Sequence, residues 1–143
     1  MFVKQLSIFV ENKLGRLSEI IGAIAQSKID IRAMSMADTT NFGILRLIVD
    51  KPDAAEKALR EMGLTVKLTE VIAIEIPDVP GGFAAALDVL TESKVTIEYS
   101  YAFISRVEGS ACVILRVDNN KKAIEAFAKS KIKIIPGEKI YSM

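Results

Sequence analysis

The sequence contains no histidine, no tryptophan and a single cysteine. Without histidine the chain cannot build the usual serine or cysteine catalytic triads, zincin motifs or metal sites with imidazole ligands. Cys112 stands in the apolar run 111–115, so a disulfide framework is excluded and we expect a buried strand residue. We therefore expect no catalytic residue, no metal and no cofactor.

The sequence also lacks an excess of one charge sign and a long apolar run. The formal net charge is +1, which gives no reason to expect nucleic acid or an anionic membrane as partner. No apolar stretch approaches the ~18 residues of a membrane span. The first residues alternate in hydrophobicity and reach a charge too early for a signal peptide. We expect a cytoplasmic protein that does not bind membranes.

The same pattern of apolar residues is present twice in the chain. Apolar positions between residues 17 and 33 recur between 83 and 99 at an offset of 66, and those between 55 and 66 recur between 123 and 134 at an offset of 68. A unit of this size has much surface for its volume, and half of the residues are hydrophobic. The repeat predicts two units, 1–68 and 69–143, that pack together, and the high apolar content predicts that the protein self-associates.

Hydrophobic periodicity predicts the same order of elements in both copies. The first copy is predicted to have strands at 5–10, 29–38, 42–50 and 64–68, a turn at 39–41, and helices at 17–27 and 52–63. The second is predicted to have strands at 70–76, 95–105, 110–118 and from 132, and helices at 83–93 and 120–130. Residues 138–141 match 70–73 and are predicted to add an edge strand. The βαββαβ order predicts an α+β fold of two tandem ferredoxin-like units, each an antiparallel sheet with both helices on one face.

The turn between the first strand and the first helix is unusual in both copies. Glu11–Leu17 and Pro77–Phe83 each contain Asn or Asp followed three residues later by glycine at the predicted start of the helix. Glycine there lets a ligand approach the free N–H groups, which favour an anion such as an α-carboxylate. Asn12 and Asp78 could accept hydrogen bonds from an α-ammonium group. The loops thus suit the zwitterionic end of an amino acid, although such segments are also typical of simple turns before a helix.

These segments carry a resemblance to a known family. Glu11–Leu17 (ENKLGRL) with Ile29–Ala33, and Asp78–Phe83 (DVPGGF) with Val95–Tyr99, resemble the ACT domain. The resemblance covers essentially the whole chain, which is similar to a small stand-alone tandem ACT protein. ACT domains are βαββαβ modules that bind amino acids or similar small ligands at domain interfaces, often to regulate metabolic enzymes.

The resemblance implies a set of ligand-binding residues in the two loops. They are Asn12, Leu14, Gly15, Arg16, Leu17, Asp78, Pro80, Gly81, Gly82 and Phe83. The second strand of each copy is expected to supply the other wall, through Met34, Ser35, Met36, Ser100, Tyr101 and Ala102. Leu14 stands where the family pattern commonly has proline, as Pro80 does in the second copy. Methionines at alternating strand positions are also typical of packing.

Three classes of function follow from these features. The leading hypothesis is a non-enzymatic regulatory protein that binds a free amino acid or similar metabolite at ACT domain interfaces. The second is a regulatory subunit that docks onto an amino-acid or acyl-CoA metabolic enzyme such as acetolactate synthase. The third is a small enzyme on the same scaffold, against which the lack of a recognisable acid, base and nucleophile set argues.

We also expect a homodimer with a largely apolar contact surface that includes sheet surface or sheet edges. Phe9, Met34 and Met36 suggest that the sheet face opposite the helices is not fully polar. An RNA-binding module shares the topology, but residues 42–46 lack the exposed aromatic pair and basic surface that base stacking needs.

Overall fold

The computed structural model describes residues 2–38 and 41–143. The predicted turn at 39–41 lies largely outside the described residues, because residues 39 and 40 are not among them. None of the helices in these two ranges combines the length and apolar character that crossing a bilayer requires.

The chain divides into two compact units that exchange their ends. The first unit comprises Lys4–Thr69 and Ile140–Met143, and the second comprises Met1–Val3 and Glu70–Lys139. Each unit therefore contains one long segment of the chain and one short segment from the far end of the sequence.

The first unit has the predicted βαββα order and ends in a strand that continues into the second unit. Its elements are β1 (Val3–Glu11), α1 (Arg16–Gln26), β2 (Ile31–Asp38), β3 (Phe42–Val49), α2 (Pro52–Glu61) and the start of β4 (Val66–Pro77). Proline at the first position of α2 loses no hydrogen bond, because the first helical N–H groups have no partner within the helix. β3 lies between β2 and β1, and both pairings are antiparallel.

The second unit repeats this architecture. After β4 come α3 (Gly82–Glu92), β5 (Ile97–Phe103), β6 (Ser110–Val117), α4 (Asn120–Ala128), β7 (Lys133–Ile135) and the short helix α5 (Gly137–Tyr141). β4 pairs with β6 on one side and with β7 on the other, and β5 pairs with β6, all antiparallel. The predicted α+β fold of two ferredoxin-like βαββαβ units is confirmed.

In each unit a hydrophobic core lies between the sheet and the two long helices. In the first, Ile20 and Ile24 of α1 and Leu59 of α2 pack with Leu6 and Leu45 of the sheet. In the second, the corresponding helix residues Ala86, Leu90 and Phe127 pack with sheet residues such as Ile74 and Leu115. Cys112 is free and buried on β6, as its sequence context predicts.

The repeat is visible in the backbone as well as in the core. Lys28 and Lys94, 66 positions apart, both have positive φ, at 56° and 58°. Each follows a helix that ends with the same pair of hydrogen bonds, and the next strand in each unit has a bulge, at Ile31–Ala33 and at Ile97–Tyr99. The two halves of the sequence therefore specify the same local geometry, irregular features included.

Two sequence predictions about strands are wrong. Residues 138–141 do not form an edge strand but lie in α5, which starts directly after Pro136, a residue that cannot donate to a sheet ladder. The separate strands predicted at 64–68 and 70–76 are one strand, β4, because Thr69 and Glu70 continue the extended backbone.

The segment Ile140–Met143 is anchored to the first two strands of the first unit. The Ile140 side chain is fully buried. The Tyr141 hydroxyl accepts a hydrogen bond from the Lys4 N–H at 2.8 Å, and the Tyr141 carbonyl accepts one from the Arg32 guanidinium at 3.0 Å. Arg32 also pairs with Asp30 at 2.6 Å and is only 13% exposed. This segment is thus an integral part of the first unit.

Met34 and Met36 lie on a different sheet face from the one predicted. Each pairs directly with a core residue of β3, Met34 with Leu47 and Met36 with Leu45, and direct partners point to the same face. Both methionines are therefore on the helix side of the edge strand, because the bulge at the start of β2 shifts the alternation. Phe9 does lie on the opposite face, as predicted, and is 51% exposed.

Candidate functional site

The first strand-to-helix loop presents an open helix start. Gly15, in the left-handed conformation at φ 79°, occupies the N-cap of α1, and the first regular helical hydrogen bond runs from the Glu19 N–H to the Gly15 carbonyl at 3.0 Å. The Arg16 N–H donates to the Lys13 carbonyl at 3.2 Å. Because glycine has no side chain, it cannot cap the following N–H groups of Leu17 and Ser18. These groups and the helix dipole favour an anion at this point.

A cleft of about 340 Å³ lies at this loop. Its lining residues are Glu11, Lys13, Leu14, Arg16 and Glu19. Glu11 is the last residue of β1, and Arg16 and Glu19 belong to the first turn of α1, so the end of a strand and the start of a helix position the charged groups. The volume falls within the usual size range of small-molecule sites.

Two ion pairs surround the cleft. Lys13 pairs with Glu11 at 2.7 Å, and Arg16 pairs with Glu19 at 3.0 Å. The hydrogen bond from Lys13 and its positive charge hold the pKa of the Glu11 carboxyl below its ordinary value, with a smaller contribution from Arg16. The cleft therefore presents two basic side chains, Lys13 and Arg16, and two acidic ones, Glu11 and Glu19.

The second loop has the same backbone. Gly81, at φ 86°, is the N-cap of α3; the Gly82 N–H donates to the Val79 carbonyl at 3.0 Å, and the Ala85 N–H donates to the Gly81 carbonyl at 3.0 Å. A Cβ at Gly15 or Gly81 would contact no described atom within 4 Å, so the need for glycine at both positions comes from positive φ and not from lack of space.

Gly82 differs, because it has no room for a side chain. A Cβ at Gly82 would collide with the carbonyl oxygen of Pro77. The residue at the equivalent position of the first loop is Arg16, which carries a long side chain there. The second loop thus lies closer to the start of its helix than the first.

The structure brings only part of the predicted site together. Of the predicted residues, Leu14 and Arg16 line the cleft, while Leu17 and Phe83 are partly buried against the two cores. Asn12 lies at the end of β1, where its side-chain amide is 3.5 Å from the Asp38 carboxylate. Asp78 and Pro80 are exposed in the second loop.

The predicted wall residues do not share one surface. Because successive strand residues point to opposite faces, Met34 and Met36 lie on the helix side of the first sheet and Ser35 on the other. The same holds in the second unit, where Ser100 and Ala102 are exposed on the helix side and Tyr101 is half-buried on the other face.

Three residues of the cleft are absent from the predicted set. They are Glu11, Lys13 and Glu19. Glu19 could have been found from its spacing, since a glutamate three positions after Arg16 on a helix lies on the same face and can form an ion pair. No three acidic or cysteine side chains within the described ranges cluster in a way that could hold a metal ion.

Comparison with known proteins places the chain in a family. It belongs to the ACT domain pair family, whose model matches residues 1–143. ACT domains form a regulatory fold that is typically non-catalytic. Among curated proteins, no sequence matches the chain.

Solved structures give the same fold. Protein BT0572 from Bacteroides thetaiotaomicron is 40% identical over 100% of this chain and 98% of its own, with a TM-score of 0.94. The ligand-free regulatory subunit of aspartate kinase from Thermus thermophilus is 17% identical over 88% and 91% of the two chains, with a TM-score of 0.65. Aspartokinase III of E. coli in complex with aspartate and ADP is 15% identical over 87% of this chain and 30% of its own, with a TM-score of 0.56.

Proposed function

We propose that the chain is a non-enzymatic regulatory protein that binds a free amino acid, or a closely similar metabolite, at the strand-to-helix loop. The observation that carries this proposal is the open start of α1 beside a cleft of about 340 Å³. Membership of a family of regulatory domains supports the regulatory role.

The chemistry of the cleft suits a zwitterion. Unpaired N–H groups at the start of a helix attract a carboxylate, and the basic residues Lys13 and Arg16 belong to the same loop and to the first turn of α1. Glu11 and Glu19 offer oxygens to an ammonium group on the same rim. A free amino acid carries an ammonium and a carboxylate group on the same carbon. Its carboxylate can pair with the basic side chains and its ammonium with the acidic ones, so no charge is left unbalanced.

We expect at least one of the twenty L-amino acids to raise the melting temperature of the purified protein. A ligand at ~100 times its dissociation constant adds about 2.7 kcal/mol of stability, which for a chain of this length corresponds to about 8 °C. The D-enantiomer of the best ligand is the matched control, since it has the same charges in the wrong arrangement. No melting shift and no heat of binding for any of the twenty would contradict the proposal.

The same samples test the absence of catalysis. We expect the amino acid to be recovered unchanged after prolonged incubation, as quantified by proton NMR. Turnover that disappears on substitution of a single polar residue would instead support the alternative of a small enzyme.

We further propose that two copies of the chain form a homodimer in the cytoplasm. Besides Leu14 of the cleft, large apolar side chains remain exposed at two places in the first unit: Phe9 and Phe42 on the sheet face opposite the helices, at 51% and 47%, and Met34 and Met36 on the edge strand, at 46% and 42%. Exposed apolar surface and an unprotected strand edge both favour association. Docking onto a metabolic enzyme stays a prediction of the sequence and would use the same surfaces.

Sedimentation at micromolar concentration is expected to give 31.2 kDa, twice the chain mass of 15.6 kDa. Two double variants serve as controls for each other. Phe9→Ser with Phe42→Ser removes the exposed apolar side chains of the sheet face opposite the helices, and Met34→Ser with Met36→Ser removes those of the edge strand. We expect one pair to yield monomer and the other to leave the dimer intact, which identifies the interface. A wild-type protein that sediments at 15.6 kDa would exclude the dimer.

A further inference from the structure

The two strand-to-helix loops share their backbone but not their chemistry. The glycine N-caps and the hydrogen bonds that close the turns recur at an offset of 66 residues. At the same offset, every charged residue that lines the first cleft is replaced by an uncharged one. Glu11, Lys13, Arg16 and Glu19 correspond to Pro77, Val79, Gly82 and Ala85.

The charge that remains in the second loop suits the ammonium group of a zwitterion but not its carboxylate. Between Pro77 and Phe83 the only ionisable side chain is Asp78, an acid. A ligand carboxylate at the start of α3 would find no cation from this loop and one carboxylate nearby. The first loop offers two cations at the corresponding place.

The loops also differ in the space beside the helix start. In the first, a side chain as long as that of Arg16 projects from the first helical residue and lines a cleft of about 340 Å³. In the second, the Pro77 carbonyl approaches Gly82 so closely that even a Cβ would collide with it. The carbonyl dipole of Pro77 also places a partial negative charge there, which disfavours an anion.

We infer that each chain binds a zwitterionic amino acid once, in the cleft lined by Lys13 and Arg16, and that the second loop is a structural turn. This inference rests on the proposed function and narrows it, since the repeat alone would suggest two equivalent sites. The two loops thus share a backbone, but only the first carries basic side chains that can pair with a carboxylate.

Amide NMR provides a matched reporter in each loop. The probe is the L-amino acid that gives the largest melting shift among the twenty. We expect its titration to move the amide signal of Gly15 and leave that of Gly81 unchanged, and calorimetry to give one equivalent per chain.

Variants in the two loops test the assignment independently. Arg16→Gln is expected to weaken binding about 10- to 100-fold, because it removes a charge-assisted hydrogen bond to the carboxylate. Its melting temperature without amino acid should stay close to that of the wild type, since the exposed ion pair with Glu19 contributes little. Lys13→Val combined with Arg16→Gly, which places the residues of the second loop at these two positions, should abolish binding. Asp78→Asn is the control and should leave the affinity unchanged.

The possible results separate the two proposals. Two equivalents per chain or movement of both glycine signals would overturn this inference and leave the proposed function intact. Loss of binding in Asp78→Asn with retention in Arg16→Gln would overturn this inference and move the proposed site to the second loop. If no amino acid moves either glycine, the proposed function fails and this inference fails with it.

Discussion

Deletion of residues 140–143 is expected to lower the free energy of unfolding by about 3–8 kcal/mol. The deletion removes the fully buried Ile140 side chain, and loss of an isoleucine from a core costs about 2–5 kcal/mol. It also removes the two hydrogen bonds that Tyr141 accepts from Lys4 and Arg32, each worth about 0.5–1.5 kcal/mol. Urea denaturation followed by circular dichroism measures the change as a lower midpoint.

Two single substitutions test how much individual residues of this region contribute to the free energy of unfolding. Tyr141→Phe removes only the hydroxyl that accepts from Lys4 and should cost about 1 kcal/mol. Glu138→Ala, at an exposed position of α5, is the control and should change stability by less than about 0.5 kcal/mol. If the deletion were as mild as Glu138→Ala, the segment would not be an integral part of the first unit.

Gly82→Ala is expected to destabilise the protein by about 1–3 kcal/mol, the usual cost of inserting a methyl group where there is no space. The atom that the new Cβ would meet is the backbone carbonyl oxygen of Pro77, which can move only if the whole loop moves. Chemical denaturation of the purified variant gives the value directly.

Gly22→Ala is the matched control, with an expected effect of opposite sign. Gly22 lies in the interior of α1, where a Cβ would contact no described atom within 4 Å. Alanine should therefore stabilise the helix by about 0.5–1 kcal/mol. Equal effects of the two substitutions would show that the tight approach of Pro77 to α3 is absent in solution.

The fold could be predicted from the sequence because its determinants are local and are present twice. The spacing of Ile20 and Ile24 and the alternation of Leu6, Ile8 and Val10 each define one buried face. The same spacings at Ala86 and Leu90 repeat the assignment, so each half of the sequence supports the interpretation of the other.

The exchange of chain ends could not be predicted in this way, because contacts between residues far apart in sequence determine it. Arg32 and Tyr141 are 109 residues apart, and nothing in either local pattern indicates their hydrogen bond. The tail resembled a strand because residues 138–141 match 70–73, yet burial of Ile140 in the first unit determines its conformation.

The candidate site was predicted in part for a similar reason. The glycine at the start of α1 is a local signal, and the residues next to it in sequence, Leu14 and Arg16, do line the cleft. The strand residues Met34 and Met36 were placed by alternation alone, and a single bulge was enough to change their face. The charge difference between the loops is visible in the sequence. The lack of space for a Cβ at Gly82 is visible only in the structure, and it is the second observation that distinguishes the loops.

The end exchange has a consequence for how the protein is made. A ribosome completes Lys4–Thr69 long before it reaches Ile140, and at about 5–20 residues per second the delay is roughly 4–15 s. Throughout that interval the nascent first unit lacks the Ile140 side chain, which is fully buried in the folded protein, and Arg32 lacks the carbonyl that it binds. The half of the chain that is synthesised first is therefore completed last.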